Sequence, residues 1–244
     1  MNLGLNLVSY IYNEQRKEYA ERSFASLVKT KLDLKDKVFG MYFTYKVSNI
    51  TFDYKSWIFK FPFSRTLTAE QPEWINGLDP VVIWTTDQMF RHHPEVTHVC
   101  LLTDDVLYNP DWLTALIMLI ERRPNAKAWS VYRSSYTRHH RTVKTQGWMY
   151  LPGPGGTDIQ VTSIAGIGTV SRREWEEYAP NWRLGHGGFA VPEHLGGGNT
   201  VDLHHAYARP GERWTTENSY WQHIGAVGTH GNSNHEVALN WIGE

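Results

Sequence analysis

One cysteine, Cys100, is all that this chain of 244 residues contains, so no internal disulfide is possible and nothing in it requires an oxidising compartment. A cytoplasmic location is the expectation. Long apolar runs are equally scarce. The longest strongly apolar stretch, Trp112 to Ile120, falls far short of the roughly 20 residues that cross a bilayer, and no basic segment followed by an apolar one opens the chain. A soluble protein without a membrane span is expected. Charge of one sign is lacking too: 24 Lys and Arg against 25 Asp and Glu leave a net charge of −1, which excludes a uniformly basic nucleic-acid binder. Internal repeats, low-complexity tails and linkers are absent, so one domain over residues 1–244 is expected, a size that suits a single α/β core.

One absence is local. No acidic residue occurs from Arg122 to Thr157, whereas Arg122, Arg123, Lys127, Arg133, Arg138, Arg141 and Lys144 all fall there. Such a tract is either a solvated hairpin whose charges pair with acids elsewhere, or a surface for an anionic partner.

What is present reads as alternating strand and helix. Leu3, Leu5 and Leu7 alternate with Asn2, Gly4 and Asn6, the pattern of a strand becoming buried. Asn13 suits the cap of a helix carrying Ala20, Phe24, Leu27 and Val28 at helical spacing. A second strand over Lys37 to Tyr45 completes a βαβ unit. Asp79 to Arg91 is predicted helical, Thr97 to Leu102 a strand, and Pro110 to Arg122 a strongly apolar helix, with Asn109 at its cap and Pro110 at its first position. Further on, Ala128 to Tyr132 and Ile159 to Ala165 are predicted strands around a Gly/Pro loop at Gly147 to Gly156. Ser171-Arg172-Arg173-Glu174 matches a capping box. Gly185 to Gly198 holds six glycines with His186, Glu193 and His194, a long loop of the kind that covers active sites. The pattern argues for a doubly wound mixed sheet flanked by helices, with ligands at the carboxyl ends of its strands.

Thr103-Asp104-Asp105 stands at one such end, directly after the apolar run Val99 to Leu102. Adjacent carboxylates where a buried strand stops are costly unless something pairs with them, and no Lys or Arg lies nearby in sequence. A hard divalent cation, Mg or Mn, with substrate phosphates completing its shell, would meet that need. A turn that caps the following helix is the plainer alternative, but Asn109 and Pro110 already fill that role.

These residues resemble a known family. Tyr12-Asn13-Glu14 followed by Ser23 to Leu27 is similar to the opening of the GT-A glycosyltransferases of the large family-two type. Thr103-Asp104-Asp105 with Asn109-Pro110-Asp111-Trp112-Leu113 resembles their metal motif and following helix. Gly166-Ile167-Gly168 with Arg172 to Trp175 looks like their small-residue strand and acceptor-side helix, and Val201 to Ala206 with His223-Ile224-Gly225 resembles the closing acidic helix and metal-side histidine. The resemblance spans most of the chain and implies a GT-A domain with a nucleotide-sugar-binding half, 1–122, and an acceptor-side half, 123–244. It implies a nucleotide-sugar donor, foremost a UDP-sugar, a divalent cation on its diphosphate, and in-line, inverting displacement at the anomeric carbon by an acceptor hydroxyl. Carried over, the metal residues are Asp104, Asp105 and His223. The donor residues are Ser9, Tyr10, Tyr12, Asp53, Arg65 and Asp104. Two positions depart from the family pattern. Thr103 stands where an aspartate is frequent, and Asn199 and Thr200 stand where an acidic pair near the acceptor is usual, which leaves Asp202 and Glu193 as candidate bases.

Other readings have less behind them. Gly166-Ile167-Gly168 with Ser171 in third place is not a dinucleotide fingerprint with enough chain after it. Twelve histidines invite a zinc hydrolase, yet no H-E-x-x-H occurs and the spacings match no closed zinc pattern. Eleven Trp and thirteen Tyr would also serve a non-catalytic carbohydrate-binding domain. For the acceptor, the basic tract interleaved with Trp129, Tyr132, Tyr136, Trp148 and Tyr150 suits phosphate contacts and base stacking. A hydroxymethylated pyrimidine in DNA, met through Arg133, Arg138, Arg141 and Lys144, is one expectation. A surface glycan or a small molecule is the alternative.

Overall fold

The structure, a computed structural model, describes residues 1–73, 75, 78–133, 149–153, 156–161, 168–182, 212–225, 238 and 240–243. In chain order the elements are β1 (Leu3–Tyr10), α1 (Glu14–Val28), β2 (Val38–Lys46), α2 (Tyr54–Ile58), β3 (Thr66–Glu70), α3 (Leu78–His92), β4 (His98–Thr103), β5 (Val106–Tyr108), α4 (Trp112–Arg122), β6 (Ala128–Ser130), β7 (Met149–Gly153), β8 (Gly156–Val161), β9 (Thr169–Ser171), α5 (Arg172–Trp182), β10 (Arg213–Thr216) and β11 (Trp221–His223). Among the described residues no helix is long and apolar enough to cross a membrane.

The leucine alternation does build β1, but the strand is buried on both faces: Asn6 and Ser9 are enclosed along with Leu3, Leu5 and Leu7. Burial on both sides is what a central parallel strand requires. β1 accordingly lies between β2 and β4, parallel to each. Among the described residues a nine-stranded mixed sheet runs β3-β2-β1-β4-β9-β6-β10-β8-β7, so strands from both halves of the chain share one sheet. β5 and β11 pair separately as a short antiparallel ribbon.

Each face of β1 has its own helix. On one, α1 buries Ala20, Phe24 and Leu27, and Phe24 meets Phe43, Phe52, Trp57 and Phe61 edge-on at 5.6 to 5.9 Å between ring centroids. On the other, α3 packs so close that a Cβ at Gly4 would lie 2.1 Å from Met89 Sδ; glycine is what lets the helix approach. Asn13 caps α1 as expected, its Oδ1 accepting from Arg16 N at 2.8 Å. Ser171 likewise accepts from Glu174 N at 3.2 Å, but Glu174 completes an ion pair with Lys127 at 3.0 Å.

Three local expectations need correction. α4 starts at Trp112, not Pro110, and its N-cap is Asp111. Asn109 is committed elsewhere: its Oδ1 accepts from Asp111 N at 2.9 Å and its Nδ2 donates to Gly243 O at 2.8 Å. The Gly/Pro stretch, where described, is mostly a pair of antiparallel strands, β7 against β8, because Met149, Tyr150 and Leu151 favour a strand. The basic tract, where described, is neutralised inside the fold. Asp158, fully buried, receives Arg122 at 2.6 Å and Arg123 at 3.0 Å. Arg133 is itself buried, donating to Glu217 O at 3.1 Å, so it does not face a nucleic acid. Arg138, Arg141 and Lys144 lie outside the described residues.

Candidate active site

Because β1 and β4 are parallel and in register, with Val8 beside Thr103, they end together. Ser9 and Tyr10 thus emerge next to Asp104. The Asp104 carboxylate, 2% exposed, accepts from Ser9 Oγ at 2.6 Å and from Tyr10 N at 3.2 Å through one oxygen. Its other oxygen is taken by Arg16.

Arg16 is the residue that sequence reasoning missed. It lies in the first turn of α1, and its guanidinium forks across the acid pair, one arm on Asp104 and the other on Asp105 Oδ2 at 2.7 Å. The pair that had no cation nearby in sequence has one in space. Burial works against the charge on Arg16, and Asp104 and Asp105 more than offset it, so its pKa is held above the ordinary value. Burial pushes the Asp104 carboxyl up to about 6 against the pull of Arg16. Burial acts the same way at Asp105, but the hydrogen bond and charge of His223, with Arg16, outweigh it and hold that carboxyl well below the usual range.

The turn carrying the pair is fastened on several sides. Thr103 Oγ1 donates to Asp105 Oδ1 at 2.7 Å, so the threonine hydroxyl fixes one oxygen of Asp105 and leaves the other to Arg16 and His223. Tyr108 Oη donates to Thr103 O at 2.8 Å. Ser26 Oγ accepts from Tyr108 N at 3.0 Å and Ser23 Oγ donates to Thr103 O at 3.3 Å, tying α1, and with it Arg16, to the turn. From the C-terminal side, β11 pairs with β5 so that His223 lies beside Val106. That brings His223 Nε2 to 3.3 Å from Asp105 Oδ2.

Asp105 Oδ2 and His223 Nε2 are the atoms here that could hold a divalent cation. Two ligands at about 2.1 Å on adjacent corners of an octahedron are about 3 Å apart, close to the separation of Asp105 Oδ2 and His223 Nε2. Beside them is Gly225, where a Cβ would stand 2.9 Å from Asp105 Oδ2 and 3.1 Å from His223 Cε1. Among the described residues no three His, Cys, Asp or Glu side chains form a metal-binding group, so the remainder of a shell would come from substrate oxygens and water. Asp104 has both oxygens engaged by protein donors and anchors the strand end beside Asp105.

The donor residues separate into two groups. Tyr10, 38% exposed, contacts the Tyr12 ring at 5.3 Å and lies under Lys46 Nζ at 5.1 Å, at the same end of the sheet as the acid pair. Tyr54, unforeseen from sequence, lies near Ser9 and Ile11, stacks on Tyr45 at 4.5 Å, and is pushed up to about 12 by burial. Asp53, exposed, caps α2 by accepting from Ser56 N at 3.1 Å. Arg65 is not brought to this group. It precedes β3 beside Gly40, near the start of β2, stacking on Phe39 at 4.5 Å and pairing with Glu95 at 3.9 Å. Asp202, Glu193 and the glycine-rich loop lie outside the described residues.

No family model and no curated protein matches the sequence. Solved structures do match. The crystal structure of S. aureus TarS residues 1–349 in complex with UDP-GlcNAc aligns with a TM-score of 0.56 over 96% of this chain and 62% of that one, at 14% identity. The fold is that of a GT-A glycosyltransferase. TarS 1–349 without that ligand aligns at 0.55, covering 93% of this chain and 61% of that one at 11% identity. A longer TarS structure aligns at 0.52, with 91% of this chain and 36% of that one covered at 12% identity. The chain thus spans about three fifths of the TarS 1–349 length. At such identities the likeness is one of fold, and the acid pair occupies the strand ends at which a doubly wound sheet such as the GT-A fold binds its ligands.

Proposed function

We propose that the chain is an inverting hexosyltransferase that moves a sugar from a UDP-sugar to an acceptor hydroxyl, with Mn or Mg held by Asp105 and His223. The observation that carries this reading is the convergence of Asp105 Oδ2 and His223 Nε2 at 3.3 Å, beside the vacant Cβ position of Gly225, at the strand ends of a GT-A fold. The UDP-GlcNAc held by TarS supports a uridine diphosphate donor. An imidazole ligand favours Mn over Mg.

The roles of the side chains follow from their places. Asp104 fixes the end of β1 and one arm of Arg16; Ser9, Tyr10, Tyr12 and Asp53 frame the nucleotide. When bound, the cation supplies charge neutralisation at the leaving diphosphate. The bond from the anomeric carbon to the diphosphate oxygen breaks as the acceptor oxygen bonds to that carbon from the opposite face, and the acceptor proton passes to a carboxylate, for which Asp202 and Glu193 are the proposed residues. In this reading the chain works in the cytoplasm as one domain, residues 1–122 for the donor and 123–244 for the acceptor. For the acceptor, a hydroxymethylated pyrimidine in DNA now rests on Arg138, Arg141 and Lys144 alone, with a surface glycan or small molecule as the alternative.

A screen of nucleotide sugars with Mn against these acceptor classes, read by mass, tests the proposal. Donor turnover that disappears in Asp105→Ala is expected. Sugar binding without turnover for any donor would leave a carbohydrate-binding domain instead. Charge reversal at Arg138 and Arg141 is expected to weaken DNA binding, itself falling by about a decade or more between low and physiological salt, and to leave donor hydrolysis unchanged; undetectable DNA binding at low salt returns the acceptor to glycan or small molecule.

A further inference from the structure

Asp105 Oδ2 serves two masters. Arg16 Nη1 lies 2.7 Å from it and His223 Nε2 3.3 Å from it, so the oxygen best placed to hold a cation already carries a cationic hydrogen bond. A divalent ion on that oxygen and a guanidinium arm cannot share it at contact distance without strong repulsion in a site shielded from solvent. The rest of the environment offers the arm somewhere to go. The second arm of Arg16 remains on Asp104, whose other oxygen is fastened by Ser9 and the Tyr10 N–H, which gives the guanidinium a pivot. Arg16 Nε is buried without a hydrogen-bond partner among the described residues, so the group still has a donor to offer. The position also disfavours the charge on its own account: Arg16 is in the first turn of α1, where the helix dipole favours anions. The guanidinium is there because of the acids, and another anion would serve it as well.

We propose that Arg16 is a resident counter-ion that competes with the divalent cation for Asp105 Oδ2, so that the cation is taken up together with the donor and not ahead of it. The donor's diphosphate gives the displaced arm a new anionic partner of the kind a guanidinium binds in a fork. Without that partner, cation entry costs the hydrogen bond to Asp105 with nothing in return. The inference rests on the cation site proposed above, and its test separates the two.

Binding of Mn²⁺ alone, and with UDP, is measured by the electron paramagnetic resonance signal of the free ion for the intact chain and for Arg16→Met, Arg16→Lys and Asp105→Asn. Without nucleotide, Arg16→Met is expected to bind Mn²⁺ about tenfold or more tightly than the parent, the factor that one charge-assisted hydrogen bond represents. Arg16→Lys is expected in between, because a point charge cannot bridge both carboxylates; it also decides the matter where Arg16→Met fails to fold. The gain in Mn²⁺ affinity on adding UDP is expected to be larger in the parent than in Arg16→Lys. Equal Mn²⁺ affinity in the parent and both Arg16 variants, with binding lost in Asp105→Asn, overturns the competition and leaves the cation site standing. Mn²⁺ binding that Asp105→Asn does not change overturns the cation site itself.

Discussion

Asp104 and Asp105 are neighbours in sequence, yet the structure assigns them unequal work, and isosteric substitution separates the two. Asp104→Asn keeps the shape of the side chain but removes a charge that is 2% exposed and holds Ser9 Oγ, Tyr10 N and Arg16 at once. Whichever way the amide is turned, its NH2 faces donors, either Arg16 or the Ser9 and Tyr10 pair. Breaking a buried pair from one side costs about 3–5 kcal/mol. Asp105→Asn likewise removes a charge that Arg16, Thr103 Oγ1 and His223 Nε2 share, and because this carboxyl is held below the usual range while that of Asp104 is pushed above it, its cost is expected to be at least as large. Either loss leaves a folded protein if the parent has the usual 5–15 kcal/mol or so. With a urea slope of about 3 kcal/mol/M for a domain of this size, each substitution should lower the unfolding midpoint by ~1 M or more, Asp105→Asn at least as far as Asp104→Asn. The two separate in the proposed chemistry: Asp105→Asn removes the Mn²⁺ ligand, whereas Asp104→Asn disturbs it only through Arg16. A parent-like midpoint for Asp104→Asn, or an equal loss of Mn²⁺ affinity in the two variants, would refute the division of labour.

Three further outcomes are expected. Gly225→Ala places a methyl 2.9 Å from Asp105 Oδ2 and should weaken Mn²⁺ binding while shifting the melting temperature little, since β11 and β5 need not separate; unchanged binding in titrations would mean that the space beside Asp105 is not used. Asp158→Asn leaves Arg122 and Arg123 without their shared buried anion and should cost about 3–5 kcal/mol in urea unfolding, with a neutral result arguing that the basic tract is paired elsewhere. His98, whose pKa is lowered to about 4 from 6.5 by burial and by the N-terminal charge, is neutral in the fold but protonates in the unfolded chain below pH 6.5. Its contribution is therefore whole above pH 6.5 and lost as pH falls toward 4, by at most ~3 kcal/mol. His98→Gln should flatten the acid side of the stability curve, and an unaltered slope between pH 6.5 and 4 would contradict that assignment.

Much of this protein is written in local sequence. The alternation of strand and helix, the cap at Asn13, the hydroxyl of Ser171 at the start of α5 and the carboxylates at the end of β4 depend on periodicity and on residues three or four apart, and each is legible in a window of a few residues. Asp104 and Asp105 were recognisable as costly for the same reason: their burial follows from the apolar run before them. What relieves that cost was not legible. Arg16 is 89 residues from Asp105, and only the docking of α1 on the acidic turn through Ser23 and Ser26 brings it there. A signal did exist, because an arginine in the first turn of a capped helix opposes the helix dipole and calls for an acid, but the sequence does not say which one. The same limit hid the tie from Asn109 to Gly243, the burial of Arg133, the place of Tyr54 beside Ser9 and the diversion of Arg65 to the far end of the sheet. Local patterns set which groups need partners, because propensity and burial act over a few residues. Tertiary packing chose the partners, because ion pairs and hydrogen bonds depend on separations in space that the intervening chain leaves open.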